Sequence, residues 1–146
     1  YGRNAHTDVA REFFNERIDE LLVASDFDSH TRIYADAFAI TWLGSQHEPS
    51  PEDRIAASKA ADKLLGLRGV EASFAMAVVD RNVVISGRSK GKVNVQLIME
   101  KLDGGGHFDM AGAQVSGGSV AAAYELLKSA IDEYILQNPE LFQKAD

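Results

Sequence analysis

The sequence contains no cysteine. That excludes disulfides, cysteine zinc sites and thiol nucleophiles together, and it suits a reducing compartment. No apolar run is long enough to span a bilayer, residues 73–79 being typical of the longest, and no signal-peptide pattern opens the chain. Internal repeats and low-complexity tracts are absent as well. Positive charge is scarce: 15 basic side chains face 22 acidic ones, for a formal net charge of −7. Such a balance argues against coating nucleic acid through bulk charge, yet leaves room for a small basic pocket. What is present suits one folded domain: 146 residues, 45% hydrophobic and 25% charged. The chain opens at Tyr1 rather than methionine, so it is expected to be a piece of something longer.

Periodicity divides the chain into alternating elements. Residues 7–24 place Val9, Phe13, Phe14, Ile18, Leu21 and Leu22 at helical spacing between charges, which predicts an amphipathic helix. Residues 32–43, rich in β-branched and aromatic side chains, read as one long strand or as two joined at Asp36. Ser50, Pro51, Glu52 and Asp53 form a helix start, with Ser50 as cap and the helix running to about Leu65. Residues 72–80 and 82–87 read as adjacent strands about a tight turn. Asn94 caps the next helix, with Val93 and Ile98 as a hydrophobic staple. A strand near 113–115 and a closing helix over 119–136 follow. The alternation predicts an α/β domain with a mixed sheet and flanking helices.

Residues 86–114 concentrate the chemistry. Three successive glycines, Gly104, Gly105 and Gly106, allow left-handed backbone angles and bring bare N–H groups close to a ligand. His107 follows as a hydrogen-bond donor, and Arg88 could fork onto phosphate oxygens. Between residues 81 and 107, five basic residues stand against two acidic ones, a local surplus of three positive charges in an acidic chain. These features suit a phosphate or nucleotide pocket. The residues alone leave two plainer readings open, a helix C-cap with its loop and a solvated charged face.

Ser86-Gly87-Arg88-Ser89, Val93-Asn94-Val95-Gln96, Ile98-Met99 and Gly104-Gly105-Gly106-His107 together resemble the DHH-associated domain, the C-terminal half of DHH phosphoesterases. Residues 60–65 and 70–74 narrow the likeness to GdpP-type, membrane-anchored cyclic-di-AMP phosphodiesterases. The resemblance covers about residues 9–134. It implies a single nucleotide-binding domain over 1–146 with DHH-associated architecture, contacting substrate through Arg88, Ser89, Gly104, Gly105, Gly106 and His107. It also implies that Asp103 replaces a fourth glycine. A carboxylate there would oppose a phosphate if it turned inward.

The resemblance implies as well that catalysis belongs to a DHH domain upstream, where two manganese ions activate water. This chain has no Asp-His-His, so no catalytic residue, metal or other cofactor is assigned to it, and alone it is expected to be inactive. Asp26, Asp28 and His30 are a possible ligand set, read instead as a polar turn. His6 and His47 are given no role, Ser86 and Ser89 lack a His–Asp partnership, and Trp42, Phe13 and Phe14 are read as core. The implied function is nucleotide recognition in an enzyme opening cyclic di-AMP to pApA. Two alternatives stand beside it: an oligonucleotide or single-strand exonuclease of the same superfamily, and a structural or dimerising module. Implied partners are the nucleotide, the DHH domain of the same polypeptide and a second copy as homodimer. The implied location is the cytoplasmic face of a bacterial membrane.

Overall fold

The structure, a computed structural model, describes the backbone of residues 2–143 and the side chains of residues 9–143. Helix α1 (Gly2–Ser29) leads into a hairpin of β1 (Arg32–Tyr34) and β2 (Phe38–Trp42). Helix α2 (Asp53–Leu64) then crosses to β3 (Ala72–Val79), which turns back as β4 (Asn82–Ser89). After the short α3 (Val95–Glu100) come the two-residue β5 (Gly105–Gly106), β6 (Met110–Ser116) and α4 (Val120–Gln137). The six strands lie in the order β1-β2-β3-β4-β6-β5. Only β2 and β3 pair in parallel, so the sheet is mixed and the domain is α/β, as the sequence pattern requires.

Local chemistry explains most boundaries. The β3–β4 turn needs two successive left-handed residues, and Asp80 (φ 51°) and Arg81 (φ 68°) supply them. The first hairpin turns through Ala35 and Asp36 in the same way, which resolves residues 32–43 into two strands. The Asn94 side chain accepts the Leu97 N–H at 3.3 Å and Ser119 accepts that of Ala122 at 3.1 Å, capping α3 and α4. Helix α2 begins later than Ser50 and Pro51 suggest. Residues 51–52 form a turn, no side chain caps the helix, and the Asp53 carboxylate instead reaches back to accept the Ser50 N–H at 2.9 Å.

The sheet is covered on both sides, unequally. One face carries Phe38, Ile40, Phe74, Met76 and Ile85 against Ile98 and Met99 of α3 and Leu127 and Ile131 of α4. On the other, Ala75 and Ala77 of β3 pack against Ala57 and Ala61 of α2, with Phe27 and Leu43 closing the layer. Alanines on both partners let α2 lie close to β3, the shallow side of the domain.

Helix α1 departs from expectation. It runs five residues past Ala24, so Asp26 and Asp28 lie in its last turn rather than in a loop. Among the described residues, the apolar side chains of this helix that join the core are Val23 and Phe27, near α2 and β2. Phe13 and Phe14 are 64% and 62% exposed, which overturns their reading as core. Every described residue of this helix from Val9 to Leu22 is exposed, so its apolar spacing is not matched by burial against the sheet.

The hairpin and α4 are tied by Tyr34, whose hydroxyl donates to Asp132 Oδ1 at 2.6 Å. The hydrogen bond to Asp132, with burial and the carboxylate's charge behind it, pushes the Tyr34 pKa up to about 12. A folded-state value above the unfolded one makes this contribution complete below about pH 10 and lost as pH rises towards 12. Tyr34→Phe is expected to cost about 1 kcal/mol at neutral pH, read by urea unfolding, with the gap to wild type closing above about pH 10.

Candidate functional site

Strand register assembles the site. Alternate residues of a strand share a face. On the α2 side, β4 presents Ser86 and Arg88, and β6 sets Gly112 opposite Ser86 and Met110 opposite Arg88. Strand β5 continues the first row with Gly105 opposite Gly112. Two residues after Gly105, the His107 N–H donates to the Met110 carbonyl at 2.7 Å, setting His107 across Met110 from Arg88. Two segments separated by a helix thereby reach one face of one sheet. Helix α2 covers β3 and reaches β4, while Met110 (52% exposed) and Gln114 show that β6 lies bare on this side. Between the start of α2 and this bare face lies a cleft of about 490 Å³, bordered by Arg54, Ser86, Asp103, Gly104, Gly105 and Gln114.

The three glycines do different work. A Cβ on Gly104 would stand 2.2 Å from the Gly112 carbonyl oxygen, so only glycine lets the chain pass β6 there. Its N–H is already donated to Met99 at 2.8 Å, so it is no part of an anion cradle. Gly106 has φ 143° and would meet Ala111 at 2.6 Å, a second position reserved for glycine by the backbone. Gly105 is different: a Cβ there meets nothing within 4 Å, and the residue lines the cleft. Among the three, only Gly105 offers a bare surface to a ligand.

Arg88 and Ser89 part company. The Arg88 side chain is 11% exposed, with Nε on Asp62 of α2 at 2.9 Å and Nη1 on the Gly87 carbonyl at 2.9 Å. Its charge is therefore held by Asp62, beside the cleft rather than in it. Ser89 faces the opposite side of β4, where it is buried and accepts the Gly91 N–H at 3.0 Å; it shapes the turn after β4. His107 is exposed, two residues beyond Gly105, and does not itself border the cleft. Arg54, which sequence reasoning missed, borders the cleft without an ion pair among the described residues. Ser86 is joined there by Ser58 of α2, their hydroxyls 3.2 Å apart. No local motif marks Arg54 or Ser58, because only the docking of α2 brings them to the glycines.

Asp103 has φ 62°, a left-handed angle that glycine would adopt without strain and aspartate tolerates. It borders the same cleft as Arg54, so the lining carries one residue of each charge. The Asp26, Asp28 and His30 set does not converge. Asp26 accepts the Gly44 N–H at 2.7 Å, Asp28 pairs with Lys63 at 2.8 Å, and His30 binds the Asp26 carbonyl at 2.8 Å. Among the described residues no three His, Asp or Glu side chains gather as a metal site needs, so no metal step is assigned to them. The His6 side chain lies outside the described residues. His47, given no role from sequence, bonds Asp53 at 2.9 Å. Trp42 is partly buried, its ring stacked on His30 at 5.4 Å.

A family model described as the DHHA1 domain matches residues 39–136. The chain is 45% identical over 133 residues to the Bacillus subtilis protein named cyclic-di-AMP phosphodiesterase GdpP, covering 90% of this chain and 20% of that one. It is 39% identical over 131 residues to the Listeria monocytogenes cyclic-di-AMP phosphodiesterase PdeA, covering 89% and 20% respectively. The chain thus spans about one fifth of the length of these relatives. Among solved structures, an exopolyphosphatase-related protein from Bacteroides fragilis shares the fold with a TM-score of 0.69 at 21% identity, over 85% of this chain and 36% of that one.

The glycines separate in mutation. Gly104→Ala is expected to destabilise the domain by about 2–3 kcal/mol through overpacking against β6, measured by chemical denaturation. Gly105→Ala should stay within about 1 kcal/mol of wild type, since its methyl group enters open space.

Proposed function

Since the chain belongs to the DHHA1 domain family, we propose that it is the nucleotide-binding module of a DHH phosphoesterase and that the cleft beside Gly105 is where it holds its substrate. In the intact protein this would be cyclic di-AMP, hydrolysed to linear pApA. Two relatives named cyclic-di-AMP phosphodiesterases support the substrate class. The single observation that carries the reading is the register that sets Ser86, Arg88, Gly105 and His107 on one open face beside Arg54.

In this reading Gly105 gives a phosphate or sugar a surface free of side chains, and Arg54 supplies the opposing positive charge. The Ser86 and Ser58 hydroxyls exchange their mutual bond for bonds to the ligand, at little net cost because each keeps a partner. His107 donates from beside the cleft. Arg88 joins only if a phosphate draws it from Asp62, which makes that ion pair a competitor for the substrate. Its partner's exposure keeps the pair weak, about 0–1 kcal/mol, so a dianion can win.

Hydrolysis itself is placed outside this chain. A DHH domain of the same polypeptide, carrying manganese, would form the opposite wall and supply the attacking water. Membrane anchoring and homodimerisation belong to the same proposal. Within the described residues, no helix is long and apolar enough to cross a membrane.

Titration of the 146-residue chain with cyclic di-AMP, followed by amide NMR shifts, should move Gly105 and His107 at millimolar ligand. Arg54→Ala is expected to weaken binding about tenfold, a loss of about 1.4 kcal/mol, and Asp62→Asn to strengthen it by releasing Arg88. Tighter binding of a short oligonucleotide with a steep salt dependence would favour an exonuclease. No shift at either residue would leave a structural module. Manganese-dependent hydrolysis by this chain, abolished in His107→Ala, would overturn the placement of catalysis elsewhere.

A further inference from the structure

Helix α1 carries two apolar faces. Val23 and Phe27 pack on the domain, and Phe27 is 2% exposed. Ile18 lies nine residues before Phe27, two and a half turns, so the two side chains leave the helix on opposite sides. Around Ile18 stand Phe14, Leu21 and Leu22, at the i, i+4, i+7, i+8 spacing of one continuous stripe. Phe14, Leu21 and Leu22 are 62%, 61% and 63% exposed, and Ile18 is 38% exposed.

This domain cannot cover that stripe itself. At the last turn of α1 the Phe27 carbonyl accepts the Thr41 hydroxyl, Asp26 accepts the Gly44 N–H at 2.7 Å, and Asp28 pairs with Lys63 at 2.8 Å. These contacts hold the helix in one rotation, with Val23 and Phe27 towards the sheet. A membrane surface does not suit the helix either. Residues 11–20 set Glu12, Glu16, Asp19 and Glu20 against Arg11 and Arg17, and a helix lying on an anionic bilayer needs a basic polar face.

Area and charge both fit a second copy of the chain. The four side chains expose about 400 Å² of apolar surface, about 100 Å² each, a patch of the size that marks an interaction surface. Laid against its own copy, the stripe would bury about 800 Å² in the pair. Flanking side chains bring that to about 1,000 Å², the lower limit of a specific interface. The flanks set the direction. On one side of the stripe lie Asn15, Asp19 and, further round, Glu12; on the other lie Ala10, Arg17 and Ala24. A parallel pair brings unlike flanks together, so that Arg17 faces Asp19 of the partner subunit, whereas an antiparallel pair sets acid against acid. Among the described residues neither Arg17 nor Asp19 has an ion pair within its own chain.

We propose that Phe14, Ile18, Leu21 and Leu22 form the seam of a parallel, twofold helix pair with α1 of a second copy. This gives the homodimer of the proposed function a surface, resting on that part of the reading alone and not on the nucleotide cleft.

Sedimentation equilibrium of the 146-residue chain should show monomer and dimer exchanging with a dissociation constant on the order of 10 μM. Phe14→Gln and Ile18→Glu should each raise that constant about 100-fold. Phe13→Gln, which removes an equally exposed ring from outside the stripe, should change it less than about twofold. All three positions are exposed in the monomer, so circular dichroism should show the fold unchanged. The chain has no cysteine, which makes Leu21→Cys a single probe of direction. In the parallel pair the two thiols meet on the twofold axis and join as a disulfide in oxidised glutathione; in an antiparallel pair centred on Ile18 they stand about 9 Å apart along the helices. A chain that stays monomeric to about 1 mM, equal weakening by Phe13→Gln and Phe14→Gln, or a dimer that Leu21→Cys does not cross-link would each overturn the proposal. A monomer that still binds cyclic di-AMP overturns the dimer alone and leaves the stripe to another part of a longer polypeptide. A cross-linking dimer that binds no nucleotide supports the seam and overturns only the cleft reading.

Discussion

The passage of Gly104 against β6 is the contact on which the site depends. With the place of its Cβ only 2.2 Å from the Gly112 carbonyl oxygen, the chain leaving α3 can run along β6 only if that residue is glycine. The approach ends the α3 segment, starts β5 and brings Gly105 and His107 into register with Ser86 and Arg88. Larger residues at 104 would push β5 off the edge and take His107 away from its row. The glycine run is thus first a packing device, and the ligand surface it offers at Gly105 follows from that packing.

The two faces of the sheet are built for different ends. Large side chains from β2, β3 and β4 under α3 and α4 supply most of the apolar burial. On the α2 side the residues that meet the helix are mainly alanine and serine, which let it lie close, while β6 and β5 stay uncovered. A domain that places its stability on one face can leave part of the other bare for a ligand. Arg54 at the start of α2 borders the cleft, so the docking of α2 sets its shape.

Much of this was legible from the chain. Asn94 and Ser119 cap where local hydrogen bonding says they should, and Asp80 and Arg81 turn where a two-residue hairpin requires it. Arg88 and the glycine–histidine element were recognisable as a pair. Ser89 was misplaced for a simple reason: neighbours in a strand point to opposite faces, so Arg88 and Ser89 cannot both face one cleft. Phe13 and Phe14 were misread because helical spacing shows that a face is apolar, not what covers it.

The sequence by itself determined the elements, their order, the α/β class and the segments that carry the chemistry, since caps, turns and periodicity act over a few residues. The tertiary structure alone decided which glycine is open on the cleft, that Asp62 holds Arg88, that Arg54 borders the cleft and that Ser58 bonds Ser86. It alone decided which face of α1 meets the domain and which is left bare. Each of these depends on strand register or on where a helix docks. Those are set by packing between residues far apart in the chain, and no local pattern encodes them.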